Sequence, residues 1–148
     1  MNALPESMTV RGYQLPDFDR HAKWLLPRLL EAYPHLDRRS AINFLKGLLS
    51  SNEYHILYLP HGIAVAQLVF GHTLAPKPVV QERFVWVENR EDKNQIEQAV
   101  GFYDAFKQWA KSLRCETIIV EEMSDVPHEM IKAKLGRIFS RQQQFARL

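Results

Sequence analysis

The stretch that most constrains the fold runs from Val79 to Val120. Its first part carries Phe84-Val85-Trp86-Val87, apolar at every position, as in a strand covered on both faces. From about Asn94 to Ser112, and on to Leu113, the residues Ile96, Ala99, Val100, Tyr103, Phe106, Ala110 and Leu113 recur at helical spacing and make one apolar stripe. Glu116-Thr117-Ile118-Ile119-Val120 then reads as a buried strand. Strand, long helix and strand in that order form a crossover unit, so the two strands are expected to be parallel.

The segments on either side extend this unit into a larger sheet. Met8 to Tyr13 alternates and predicts a first strand. Asp17 is a suitable N-cap for a helix whose stripe is Trp24, Leu25, Leu29 and Leu30; Pro27 is expected to kink or restart it and Pro34 to close it. Asp37 or Ser40 can cap a second helix through Ile42, Phe44, Leu45, Leu48 and Leu49. Tyr54 to Leu59 and Ile63 to Gly71 flank Pro60-His61-Gly62, which predicts an antiparallel hairpin. The Pro-rich loop Ala75 to Pro78 leads into the strand Val79–Val87. Downstream, Ser124 or Asp125 is expected to cap a last helix, with Pro127 near its first position and Gly136 as its C-cap. Ile138 to Leu148 contains a weakly alternating strand. The order is β-α-α-β-β-β-α-β-α-β, an α/β (α+β) fold with a mixed sheet in one domain over residues 1–148.

Composition excludes several classes of function. Hydrophobic residues are 46% and charged residues 24% of 148, which is a globular balance. The formal net charge is only +2, and the densest basic group, Lys132, Lys134, Arg137, Arg141 and Arg147, reads as a solvated face; no nucleic-acid partner is expected. No apolar run is long enough to cross a bilayer, and the first residues lack a signal-peptide pattern, so a cytoplasmic protein with no membrane partner is expected. Cys115 is the only cysteine and reads as a small core residue. The six histidines never recur at three- or four-residue spacing, and no metal site is expected. His72, just past the second hairpin strand, is a candidate to line an acceptor cleft, and the pair Glu121-Glu122, at the carboxyl edge of the sheet where open α/β sheets place ligands, is a candidate to bind a cationic acceptor amine.

Several segments carry a resemblance to a known family. They are Thr9-Val10-Arg11 followed by Pro16-Asp17-Phe18, then Phe84 to Asn89, then Phe106 to Leu113 with Cys115 to Val120, and Lys134-Leu135-Gly136-Arg137-Ile138-Phe139. With the order of elements they resemble the GNAT superfamily of acyl-CoA-dependent N-acyltransferases over nearly the whole chain, and most closely its small stand-alone members carried by bacteriophages and prophages.

The resemblance implies a site. Two neighbouring parallel strands splay, and the pantetheine arm of acetyl-CoA lies in the gap. Its amides pair with the free backbone edge of Phe84, Val85, Trp86 and Val87. The diphosphate rests on the turn and helix start that hold Arg90, Lys93, Asn94, Gln95 and Ile96, where free N–H groups and the helix dipole favour an anion. Glu82 stands where the family often has its general base. The family's usual tyrosine acid would fall near Lys132. The turn departs from the family pattern: Asn89 to Gln98 contains no glycine and holds Glu91, Asp92 and Glu97. Asn94 is a residue able to adopt positive φ there.

Two readings follow. One is an N-acyltransferase acting on a primary amine of a small molecule or a protein. The other is a catalytically inactive protein on the same scaffold that binds another protein, a host protein if the gene is viral. A homodimer is compatible with either.

Overall fold

The computed structural model describes residues 9–71, 77–120, 123–136 and 139–141. The elements are β1 (Arg11–Gly12), α1 (Asp17–Ala32), α2 (Arg38–Ser50), β2 (Tyr54–Leu59), β3 (Gly62–Val69), β4 (Val79–Val87), α3 (Lys93–Ser112), β5 (Ile118–Val120), α4 (His128–Leu135) and β6 (Phe139–Arg141). The strands form one sheet in the order β1-β2-β3-β4-β5-β6. β1 to β4 pair antiparallel, and β4, β5 and β6 pair parallel. This is the expected order, with the expected change from hairpins to a crossover.

The sheet is covered on both faces, which explains the unbroken apolar run in β4. One face packs α3 and α4 through Phe102, Tyr103, Phe106, Ile131 and Leu135. The other packs α1 and α2 through Leu25, Leu29, Leu45 and Leu48. Gly62, at the tight turn from β2, lies under α3: an added Cβ would meet the Phe102 ring at 3.1 Å.

A one-residue bulge in β4 sets which side chain faces which layer. Val65 pairs with Phe84 and Ala66 with Glu82, so Arg83 has no counterpart on β3. Because strand side chains alternate, the extra residue shifts the parity. Val80 and Glu82 face α3 before the bulge. Beyond it Val85 and Val87 do, while Phe84 and Trp86 face α1 and α2. Phe84 and Trp86 stack there with ring centroids 4.0 Å apart.

Several expectations at element ends are corrected. β1 spans only Arg11–Gly12 within the described part of Met8–Tyr13. α1 runs through Pro27, which is exposed, and forfeits one backbone bond there rather than restarting. Asp17 is not the N-cap of α1 but its first residue. It accepts bonds from Arg11 Nη1 and Nη2 at 2.8 and 2.7 Å and from the Gln14 N–H at 2.8 Å, tying β1 to α1. Neither Ser124 nor Asp125 caps α4: Pro127 holds that position with no side-chain bond. Asn94 is helical, and the only non-glycine with positive φ among the described residues is Arg114. Asp37 and Gly136 do cap α2 and α4, Asp37 by accepting from the Ser40 N–H and Gly136 at φ +59°. Cys115 is buried, and burial pushes its thiol up, away from the thiolate a nucleophile needs. The predicted strand Ile138–Leu148 contains β6; Ile138 and the residues beyond Arg141 lie outside the described residues.

Asp17 gives the fold a pH dependence. Burial raises its carboxyl pKa, but the Arg11 guanidinium and the Gln14 N–H outweigh that, and the group titrates below the ordinary carboxylate range. A depressed folded pKa contributes stability above the unfolded value and loses it as pH falls through the folded one. Asp17→Asn is expected to cost about 1–3 kcal/mol at neutral pH and to flatten the acid limb of melting temperature against pH.

Candidate active site

β4 and β5 pair at Val80–Ile118 and Gln81–Ile119, and β4 next meets the chain at Val85–Ser124. Glu82 follows Gln81 on β4. It is fully buried and accepts a 2.5 Å bond from the Tyr103 hydroxyl of α3. The same hydroxyl lies 2.5 Å from Ser124 Oγ, which in turn accepts from the Val126 N–H at 3.1 Å. A line of three oxygen groups therefore runs from the sheet interior to the segment after β5. Burial, then the charge and bond of Glu82, push the Tyr103 phenol well above its ordinary value, against an opposing bond from Ser124. The hydroxyl stays protonated and serves as donor to the carboxylate.

Beyond the bulge, the edge of β4 that the resemblance leaves free is occupied by the chain. The Asp125 N–H donates to the Val85 carbonyl at 2.8 Å, and the Val87 N–H donates to Asp125 Oδ2 at 2.9 Å. Arg28 of α1 holds that carboxylate with both guanidinium nitrogens, Nη2 to Oδ1 at 2.9 Å and Nη1 to Oδ2. Arg28 Nη1 also reaches the Val87 carbonyl at 3.4 Å, and its guanidinium lies 4.7 Å from the centre of the Trp86 ring. Beside this pair opens a cavity of about 310 Å³, whose wall includes Glu31, Trp86, Arg90, Met123 and Ser124.

The turn between β4 and α3 is satisfied from within. The Asp92 carboxylate caps α3, accepting from the N–H groups of Asn94 at 2.9 Å and Gln95 at 3.3 Å. Gln95 Oε1 accepts from the Asn89 N–H at 2.7 Å, and Asn89 Oδ1 from the Glu91 N–H at 3.0 Å. The helix start that the resemblance gives to a diphosphate thus already faces one of the chain's own anions.

The sequence-predicted residues divide accordingly. Glu82, Phe84, Val85, Trp86 and Val87 lie along β4 and are buried. Arg90 lines the cavity, and Lys93 and Asn94 are exposed at the head of α3. Gln95 braces the turn, while Ile96 packs into the core under α3. His72, Glu121 and Glu122 lie outside the described residues. His61 is exposed and pairs with Glu88 at 2.9 Å, on the turn side of β4. Sequence reasoning missed Arg28, Asp125, Ser124 and the polar role of Tyr103. Tyr103 sits within an apolar helical stripe, and Arg28 and Asp125 are 97 positions apart, so no local pattern marks them.

No family model matches the chain, and no curated protein matches it. Solved structures do. An integron cassette protein from the mobile metagenome of Cole Harbour Salt Marsh superposes with a TM-score of 0.66 at 17% identity, over 91% of this chain and 88% of that one. The aminoglycoside 6'-N-acetyltransferase AAC(6')-Ih of Acinetobacter baumannii gives 0.62 at 13% identity, over 86% and 88%. AAC(6')-Iy, in complex with CoA, gives 0.60 at 14% identity, over 86% of each chain. At these identities what is shared is the architecture, and it is the GNAT acyltransferase fold.

The polar line predicts a stability effect. Tyr103→Phe keeps the ring and removes the donor to buried Glu82, and is expected to cost about 1–3 kcal/mol. Ser124→Ala, at a half-buried position, is expected to cost less. Urea denaturation of both variants against the parent measures the difference.

Proposed function

We propose that this chain is an acyl-CoA-dependent N-acyltransferase, with acetyl-CoA as donor and a primary amine of a small molecule or a protein as acceptor. The observation that carries this reading is the buried Glu82–Tyr103–Ser124 line beside the parallel pair β4 and β5, in a fold of acetyltransferase type. Buried titratable groups linked by hydrogen bonds are candidates for acid–base work.

In this reading the thioester supplies an activated acyl carbonyl, and the chain supplies proton removal and positioning. An amine attacks only through a free lone pair, so its ammonium proton must leave first. Ser124 Oγ takes that proton as its own passes to Tyr103, and the Tyr103 proton passes to the Glu82 carboxylate. Both hydroxyls end neutral and Glu82 ends protonated. The backbone of Phe84, Val85, Trp86 and Val87 is the edge for the pantetheine amides. At the turn and helix start of Arg90, Lys93, Asn94, Gln95 and Ile96, Arg90 and Lys93 supply the positive charge for the diphosphate, since the Asn94 and Gln95 N–H groups are held by Asp92 and Ile96 packs into the core.

Acetyl-CoA titration with the melting temperature as readout tests this directly. A ligand that binds only the folded state stabilises it by about 2.7 kcal/mol at a hundred times its Kd, so millimolar cofactor is expected to raise the melting temperature by several degrees. No shift would remove the acyltransferase reading.

One set of observations favours a second reading. Asp92 fills the helix start and Asp125 the strand edge, and the connecting turn has no glycine. A catalytically inactive protein that binds another protein would need neither position free. The resemblance to phage-borne members makes a host protein the partner class in that case.

A further inference from the structure

The segment after β5 does more than close the sheet. Its Asp125 makes two bonds with the edge of β4, one from each kind of group. The backbone N–H of Asp125 satisfies the Val85 carbonyl, and its carboxylate satisfies the Val87 N–H. An amide presents the same pair of functions, one donor and one acceptor. Asp125 therefore offers β4 what an extended amide-bearing ligand would offer at the same two residues. Its side chain is 4% exposed, and Arg28 fixes it from the opposite layer of the fold with a two-pronged ion pair. Planar guanidinium and carboxylate groups match in this geometry, and such charge-assisted bonds are among the stronger ones.

We infer that Asp125 is a resident competitor for the cofactor's pantetheine amides, so that acetyl-CoA binds only after the Asp125 side chain leaves the Val87 N–H, and Arg28 sets how readily it leaves. This rests on the acyltransferase reading above and adds the residue that determines affinity. The Val87 N–H cannot serve both partners at full strength, since it carries one hydrogen. The ligand's binding free energy is reduced by what the Asp125 contacts contribute. Release of Asp125 also frees the Arg28 guanidinium at the wall of the cavity that holds Arg90, which gives an anionic ligand a second cation.

Isothermal titration of the whole chain with acetyl-CoA tests the assignment with two variants. Asp125→Ala removes the competing carboxylate and is expected to tighten acetyl-CoA by about tenfold or more, the scale of one charge-assisted hydrogen bond. Asp125→Asn keeps the shape and an acceptor but loses the charge that Arg28 holds, and is expected to fall between the parent and the alanine variant. Circular dichroism melting identifies a variant that fails to fold, and the conservative asparagine variant then carries the test. If acetyl-CoA binds the parent and the variants equally, or binds the variants more weakly, Asp125 is not a competitor, while the acyltransferase reading stands. If no form binds at millimolar acetyl-CoA, the acyltransferase reading fails and this inference with it.

Discussion

Everything at the site depends on the extra residue in β4 at Arg83. A regular strand would keep Glu82, Phe84 and Trp86 on one face. The bulge instead sends Glu82 toward α3 and the two aromatic rings toward α1 and α2. It thereby separates a polar line under α3 from an aromatic wall under α1. One inserted position thus fixes which residues meet Tyr103 and which meet Arg28.

The second constraint is the tie between Arg28 and Asp125. It joins α1 to the chain just after β5, across the carboxyl ends of the parallel strands, where open α/β sheets place ligands. A largely buried carboxylate is costly without partners. Asp125 has three kinds: a guanidinium, the Val87 N–H and, through its own backbone, the Val85 carbonyl. The Trp86 ring beneath the guanidinium adds a cation–π contact. The arrangement is satisfied as it stands, so any ligand at this edge must replace those partners rather than fill an empty slot.

What was legible in the sequence follows from the range of each signal. The hairpin around Pro60-His61, the helix Lys93–Ser112 and the parallel strand Ile118–Val120 show themselves through local periodicity. Asp37 and Gly136 show themselves through local cap chemistry. Asp17 reads as a cap from its neighbours alone, and its partner Arg11 reassigns it. Glu82 was placed by resemblance; burial in a polar line could not be read from Gln81-Glu82-Arg83. The stripe position of Tyr103 announces an apolar surface and conceals a hydroxyl. Arg28 and Asp125 lie on separate helical and loop segments whose meeting only the folded chain creates.

The glycine-free turn and the occupied strand edge then have one physical explanation. Glycine is needed where backbone N–H groups must approach a bulky anion closely. Here those groups are met by short side chains from the chain itself: Asp92 at the head of α3, Asn89 and Gln95 across the turn, Asp125 at Val87. A turn that supplies its own acceptors has no steric need for glycine, and its carboxylates take up the helix dipole that would otherwise draw a phosphate. The turn and the strand edge thus share one feature, acceptors supplied by the chain itself.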